Sequence, residues 1–411
     1  MTTPPVREGS PPLSLYHLLD PEVLADPYPL YRQLREEDPV HWDPYLHAWV
    51  VTRYEDVVNV LHHFKADRTP TPERLDELGM GEIAPIAAVM VKQMLFLDPP
   101  EHGRVRRLAS VAFTPRRVGV LREHIRQIAG TLVDNLADKP RFDLMAELAN
   151  PLPAIVTAEM LGVPVSDHEL LKGWSQDFAE MLGNFQHNPG RVKKTLQSVE
   201  AMVVYFHAAI IREASHPTEG LINALVTAEV DGDRLSEEEV VANVIITMVG
   251  GQETTTNLIG NGVLTLLRQP DQLERLRSDP TLLVNAVEEL LRFESPSQQT
   301  ARLAPARAIL GGTRIPEGDA VIAVMGAANR DPERFSDPDH LDLGREDNRH
   351  LAFGWAAHFC FGAPLARMEG QIAFETLLAR FPKIALAPDE AIEWRPNLGL
   401  RGLTGLQVVT S

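Results

Sequence analysis

The chain has 411 residues, 44% of them hydrophobic, and a formal net charge of -18. That length and composition support a large globular core and argue against disorder, while the acidity argues against nucleic acid, whose phosphates need a basic surface. A single cysteine excludes a disulfide framework, and no apolar run approaches the ~20 residues of a membrane-spanning helix. Residues 1–12 carry no signal-peptide core and read as a loose tail, and no linker divides 13–411, which read as one domain. A monomeric, cytoplasmic protein without a membrane partner is the expectation.

Helical signals dominate the chain order. Asp26–Asp38 has prolines at its start and charges spaced for an amphipathic helix, and Val40–Thr52 reads as a short hairpin carrying Trp42, Trp49 and Val51. Residues 65–96 show no period and contain Pro70, Pro72, Gly79, Gly81 and Pro85, which predicts a long mobile loop. From Pro99 to Val230 helices follow one another, broken near Phe113–Pro115, Pro151–Pro153, Gly162–Pro164, Asn184–Gly190 and His216–Gly220. Ser236 and Glu239 form a capping box that opens a long helix to about Arg268, and another helix is predicted from Thr281 to Phe293. Strands are expected within Ala306–Ala323 and an irregular meander over Asn329–Leu343. The fold class is therefore mainly α with small β-sheets.

Two segments carry chemistry. The only cysteine, Cys360, lies in Phe353-Gly354-Trp355-Ala356-Ala357-His358-Phe359-Cys360-Phe361-Gly362, directly before an alanine-rich helix with Pro364 in its first turn. Backbone N–H groups and the positive end of a helix stabilise a thiolate, and glycines let a flat cofactor approach the backbone, so the segment suggests an iron ligand. Taken alone, a lone cysteine is more often an inert buried residue. The second segment is Gly250-Gly251-Gln252-Glu253-Thr254 inside the long helix. Adjacent glycines there cost roughly 1 kcal/mol each relative to alanine, which suggests either close helix packing or a local opening, with Thr254 bonding back to the Gly250 carbonyl.

The cysteine segment resembles the haem-binding loop of the cytochrome P450 superfamily, Phe-Gly-x-Gly-x-His-x-Cys-x-Gly, and the long helix resembles its distal small-Gly-x-acid-Thr motif. The order of elements is similar over nearly the whole chain. One departure is Ala356, which stands where the family has a second glycine and would be strained if its φ is positive.

The resemblance implies the helical triangular prism of that family and a haem b held by Cys360 between the cysteine loop and the long helix. It implies that Phe353, Gly354, Gly362, Gly250 and Gly251 border the cofactor. His102, Arg106, Arg302 and His358 match the family's propionate anchors. Thr254 is implied to hydrogen-bond to the dioxygen being reduced and Glu253 to relay protons, which needs an ionisable group with access to water. Glu289 and Arg292 match its Glu-x-x-Arg pair, with Arg334 as the expected third member of a structural network. Dioxygen is the implied co-substrate, with electrons from NAD(P)H through a ferredoxin reductase and a ferredoxin. An acidic ferredoxin would meet a basic patch in which Arg104 and Arg107 are expected.

Position within the family points to a hydrophobic substrate near Met90, Met94, Met181, Phe185, Asn243, Thr247, Gln298, Gln299 and Leu400, although the three amides could equally bond backbone. Gly79–Phe96 and Met181–His187 are expected to move together as a lid. The implied activity is a haem-thiolate monooxygenase that hydroxylates or epoxidises a metabolite of intermediate size, such as a polyketide, macrolide, peptide or terpenoid. Fatty-acid or xenobiotic oxidation is the alternative, as is a haem-binding sensor without turnover. A sensor would not need the acid-Thr pair, and a peroxide-driven relative would alter it. Zinc hydrolysis lacks three clustered ligands, and no nucleophile elbow is present.

Overall fold

The structure, a computed structural model, describes residues 13–113, 115–183 and 189–410. The expected tail and Phe185 lie outside them. Helices dominate, as the periodicity predicts. The capping box is formed at both bonds: the Ser236 side chain accepts from the Glu239 N–H, and the Glu239 side chain accepts from the Ser236 N–H. It opens the helix Glu237–Arg268, which is buried nearly all round because it runs through two hydrophobic clusters. Val240–Val249 pack with Phe178 and Phe206 of neighbouring helices, whereas Leu258–Leu266 pack with Ile372, Phe374 and Leu377 of the helix Ala363–Arg380.

Residues 65–96 differ from the expected loop. Helices Pro72–Glu77 and Ala84–Met90, together with 3-10 turns at Gly81–Ile83 and Met94–Phe96, occupy more than half of the segment. The prolines that read as breakers are starters: Pro72 and Pro85 sit in first turns, where a missing N–H costs no helix bond, and the Thr71 hydroxyl accepts from the Arg74 N–H. Helices this short display no period for a sequence to reveal.

Nine short strands lie among the described residues: β1 Val40–Asp43, β2 Ala48–Val51, β3 Arg141–Asp143, β4 Thr300–Leu303, β5 Ala308–Leu310, β6 Thr313–Ile315, β7 Ala320–Ala323, β8 Ala385–Leu386 and β9 Gln407–Val409. The largest sheet has the order β1-β2-β7-β4. β1 and β2 form the expected hairpin with Trp42 opposite Trp49, β7 pairs parallel to β2, and β4 pairs antiparallel to β7 with Arg302 opposite Val321. That last register matters to function, because it fixes the backbone from which Arg302 reaches the cavity described next.

Candidate active site

Cys360 lines a cavity of about 370 Å³ bounded by the cysteine loop on one side and the middle of the long helix on the other. Its N–H donates to the Phe353 carbonyl at 2.8 Å, which closes the loop back on itself. The helix Ala363–Arg380 starts just beyond, and the N–H groups of Gly362 and Ala363 donate toward the sulfur. Burial nonetheless pushes the thiol up; those N–H groups, Arg106 and Arg367 pull it down without prevailing. Bonding to a metal cation would reverse the balance and favour the thiolate. Ala356 has a φ of 54°, so the strain expected of an alanine at this loop position is present.

Across the cavity, the Thr254 hydroxyl donates to the Gly250 carbonyl at 2.7 Å, the back-bond expected from the sequence. Gly250 and Gly251 both line the cavity, and a Cβ added at Gly250 would meet nothing within 4 Å. Close helix packing falls instead to Gly262, where a Cβ would stand 2.5 Å from the Phe374 ring. Gly250 therefore leaves the helix surface open to the cavity, while at Gly251 a Cβ would stand 3.3 Å from Thr157 Oγ1, a close approach to the neighbouring helix. Glu253 is only 2% exposed, and its two oxygens are taken by Lys172 Nζ at 3.1 Å and an Arg395 Nη at 2.8 Å. The water access expected of this acid is thus blocked by two cations that the sequence pattern had not singled out.

At one edge of the cavity stand His102, Arg106, Arg302 and His358, as the sequence predicts, and with them Arg68. The His102 and His358 rings lie 4.2 Å apart. Arg106 donates to the Phe359 carbonyl at 2.7 Å, and Arg302 to the Ala301 carbonyl at 2.8 Å. His102 Nε2 and Arg302 Nε are buried without a hydrogen-bond partner among the described residues. Burial depresses every member, and neighbouring cations add to it at His102, His358 and Arg68: His358 falls to about 3, Arg68 to about 9, and Arg302, by burial alone, to about 10. A concentration of desolvated bases with orphaned donors is a site built for an anion that the protein itself does not supply.

A family model for Cytochrome P450 matches residues 47–398. The chain is 42% identical over 398 residues to Cytochrome P450 107B1 of Saccharopolyspora erythraea, covering 95% of this chain and 96% of that one. It is 37% identical over 407 residues to the polyketide biosynthesis cytochrome P450 PksS of Bacillus subtilis, with 97% and 99% covered. Among solved structures, P450BioI in complex with an acyl carrier protein ligated to hexadec-9Z-enoic acid superposes with a TM-score of 0.89 at 36% identity, covering 95% of this chain and 99% of that one. The chain belongs to the cytochrome P450 family. This P450 is accordingly a haem-thiolate monooxygenase, and the predicted fold is the one observed. Its cavity fits haem b on three observations: a thiol at one face, open glycine backbone at Gly250 and Gly362, and unpaired bases where two propionates require cations.

Between the helix Leu283–Phe293 and the irregular segment that leads to the cysteine loop, this P450 has a buried network. Glu289 and Arg292 are both 0% exposed and pair through two bonds of 2.8 and 2.7 Å. The same carboxylate also accepts from Arg345 Nε at 3.1 Å, Asn348 Nδ2 at 3.0 Å and the Asp342 N–H at 3.0 Å. The third member is therefore Arg345 and not Arg334. Arg334 instead pairs with Asp347 at 2.7 and 2.9 Å and covers the Tyr54 and Phe335 rings. Sequence order could not choose between two arginines in an irregular meander.

Of the expected substrate positions, Met94, Thr247, Gln299 and Leu400 line the cavity, and Met90, Met181, Asn243 and Gln298 do not. Asn243 is a structural clamp: its amide accepts from the Met94 N–H and donates to the Lys92 and Glu239 carbonyls. Gln298 donates to the Ser295 carbonyl and Gln299 to the Leu398 carbonyl. The three amides thus bond backbone, as one of the two readings of the sequence had it. The expected basic patch is also altered. Arg104 pairs with Glu101 and Glu239, and the exposed Arg107 lies 3.5 Å from Asp231, so acids are interspersed with these two arginines. No helix among the described residues is long and apolar enough to cross a membrane.

Proposed function

We propose that this P450 inserts one oxygen atom into a hydrophobic metabolite of the polyketide type, with Cys360 as the iron ligand and Thr254 and Glu253 governing proton supply. When bound, haem b supplies the iron at which dioxygen is cleaved with two electrons and two protons, one atom entering the substrate and the other leaving as water. The observation that carries the reading is the juxtaposition of the Cys360 thiol and the opened Gly250–Thr254 turn across one cavity.

The residues divide the work. Cys360, held by the Gly362 and Ala363 N–H groups, fixes the cofactor from below. With its proton committed to Gly250, Thr254 Oγ1 presents lone pairs to the cavity, and rotation of the O–H turns it into a donor. Glu253 can pass a proton only after parting from Lys172 or Arg395, which makes that double ion pair a gate. His102, Arg106, Arg302 and His358 hold the propionates. Apolar Met94, Ile246, Leu182 and Leu400 exclude water and select an apolar substrate, and PksS supports the polyketide class by its name. Residues 13–411 act as one domain, since the cavity draws side chains from Leu61 to Leu400. Electrons come from a ferredoxin and its reductase.

The test is spectral titration of the haem-loaded protein with macrolactones, linear polyketides, terpenoids and fatty acids, free and carrier-bound. Displacement of the iron's water by macrolactones or polyketides at low micromolar concentration supports the reading. A response confined to fatty acids, free or carrier-bound, would move the substrate to the alternative class.

A further inference from the structure

One edge of the cavity contains one basic residue more than the four that the sequence pattern identified. Arg68, in the segment joining helix Tyr54–His63 to helix Pro72–Glu77, lines the cavity with His102, Arg106, Arg302 and His358. Its guanidinium is held in place from two directions, donating to the Ala66 carbonyl at 3.0 Å and stacking on the Phe96 ring with 4.6 Å to the centroid. Phe96 is 2% exposed, so the platform is rigid. No carboxylate forms a salt bridge with Arg68, Arg106 or Arg302 among the described residues.

We propose that Arg68 is a further anchor of the haem propionates, supplying the positive charge that brings this edge into balance with two carboxylates. The charges decide the matter. Arg68, Arg106 and Arg302 carry three positive charges, Asp98 is the acid coupled to both Arg68 and Arg302, and three minus one leaves two. Without Arg68 the edge would offer a single net charge to a dianion in a desolvated pocket, where unpaired charge is costly. Arg68 and Arg302 also repel one another, and an anion between them relieves that repulsion as well as satisfying free donors. Asp98 ties the arrangement to the chain by accepting the Ala66 N–H at 2.8 Å, next to the carbonyl that orients Arg68.

The inference rests on haem binding and is tested separately from it. Parent, R68Q and R68K proteins are loaded with natural haem or with haem whose propionates are methyl esters, and transfer to excess apomyoglobin is timed. R68Q should lose natural haem about tenfold faster than the parent, the loss of one charge-assisted hydrogen bond. R68K should fall between, and the ester should abolish the differences. The iron midpoint potential of R68Q with natural haem should also drop, since a buried positive charge near the metal has gone. A parent that fails to take up haem would sink the family-based reading, not this one. If R68Q releases natural haem at the parent rate, or keeps its difference with the ester, Arg68 is no anchor. R68Q losing only affinity for myristate, used as a carboxylate probe, would assign Arg68 to substrate and overturn the proposal. Should R68Q not fold, R68K compared with the parent on the two haems carries the same decision.

Discussion

Beneath the cysteine loop, Glu289 and Arg292 are completely buried and each accounts for several hydrogen bonds, whereas around the acid-Thr turn Gln252, Thr256 and Ser175 are as deeply buried with polar atoms that have no partner among the described residues. The Glu289–Arg292 pair can move only by breaking several bonds together, which makes this part of the structure stiff. An orphaned polar atom costs about 1–3 kcal/mol and calls for water or for rearrangement. The region below the cysteine is thus a fixed base, and the interior around the acid-Thr turn is less fully bonded. Glu369, on the helix behind the cysteine, is the main exception, buried on the fixed side with an unpartnered oxygen, and Asn348 Oδ1 at the network's edge is another.

The largest effect is expected where the fixed base is cut. R292A leaves Glu289 short of its principal cation in the interior, which should cost about 3–5 kcal/mol and yield little haem-loaded protein. Urea unfolding of R345A should show about 1–3 kcal/mol lost, and of R334A about 1 kcal/mol or less, because only Arg345 reaches Glu289. Equal losses for the two would contradict the network described here. C360A should retain the fold yet lose the red-shifted Soret band of the reduced carbonyl complex altogether, and a retained band would remove Cys360 as ligand.

On the opposite wall, T254A should leave folding and haem uptake intact while product formed per NAD(P)H falls by about tenfold or more, with hydrogen peroxide making up the difference. Unchanged coupling in a reconstituted redox chain would exclude Thr254 from proton supply.

The exception gives a pH test. Burial pushes Glu369 up to about 8 from an ordinary 4.5, so the folded protein keeps a proton that the unfolded chain has released. The stability tied to that proton is complete below pH 4.5 and fades as pH rises through 8. E369Q, which stays neutral, should melt with the parent near pH 4.5 and above it at pH 8. Parallel melting curves would show that the carboxyl is ionised or paired. The smallest effect is A356G: removing a left-handed alanine should raise the melting temperature by about 1–2 °C, because relief of strain is partly offset by the freer unfolded chain.

Legibility in the sequence followed the same division. Cys360, Gly250–Thr254, the Ser236 cap and Glu289–Arg292 are contiguous motifs whose spacing is itself the chemistry, and all lie where expected. Arg345, Arg68 and Arg395 were not legible, because each reaches its place through tertiary packing from an irregular segment, and Lys172 was not because nothing in its helix His168–Gly183 marks one lysine as the partner of a distant acid. The helices within 65–96 were hidden by their shortness, and their prolines carried the opposite meaning to the one read.

The strand order carries a consequence for biosynthesis. β2 ends at Val51, yet the strand that pairs with it on its open edge begins at Ala320, some 270 residues later. At roughly 5–20 residues per second a ribosome needs on the order of 15–55 s to make that stretch. Throughout that interval the β1–β2 hairpin presents Val50 and Val51 on an uncapped edge, and two-stranded hairpins are marginal in water. The haem pocket is completed from the same late segment, since Arg302 and Cys360 both follow it or flank it. Newly made chains therefore carry an open sheet edge and no complete site for the cofactor until that late segment has been made, and haem capture follows the synthesis of Cys360.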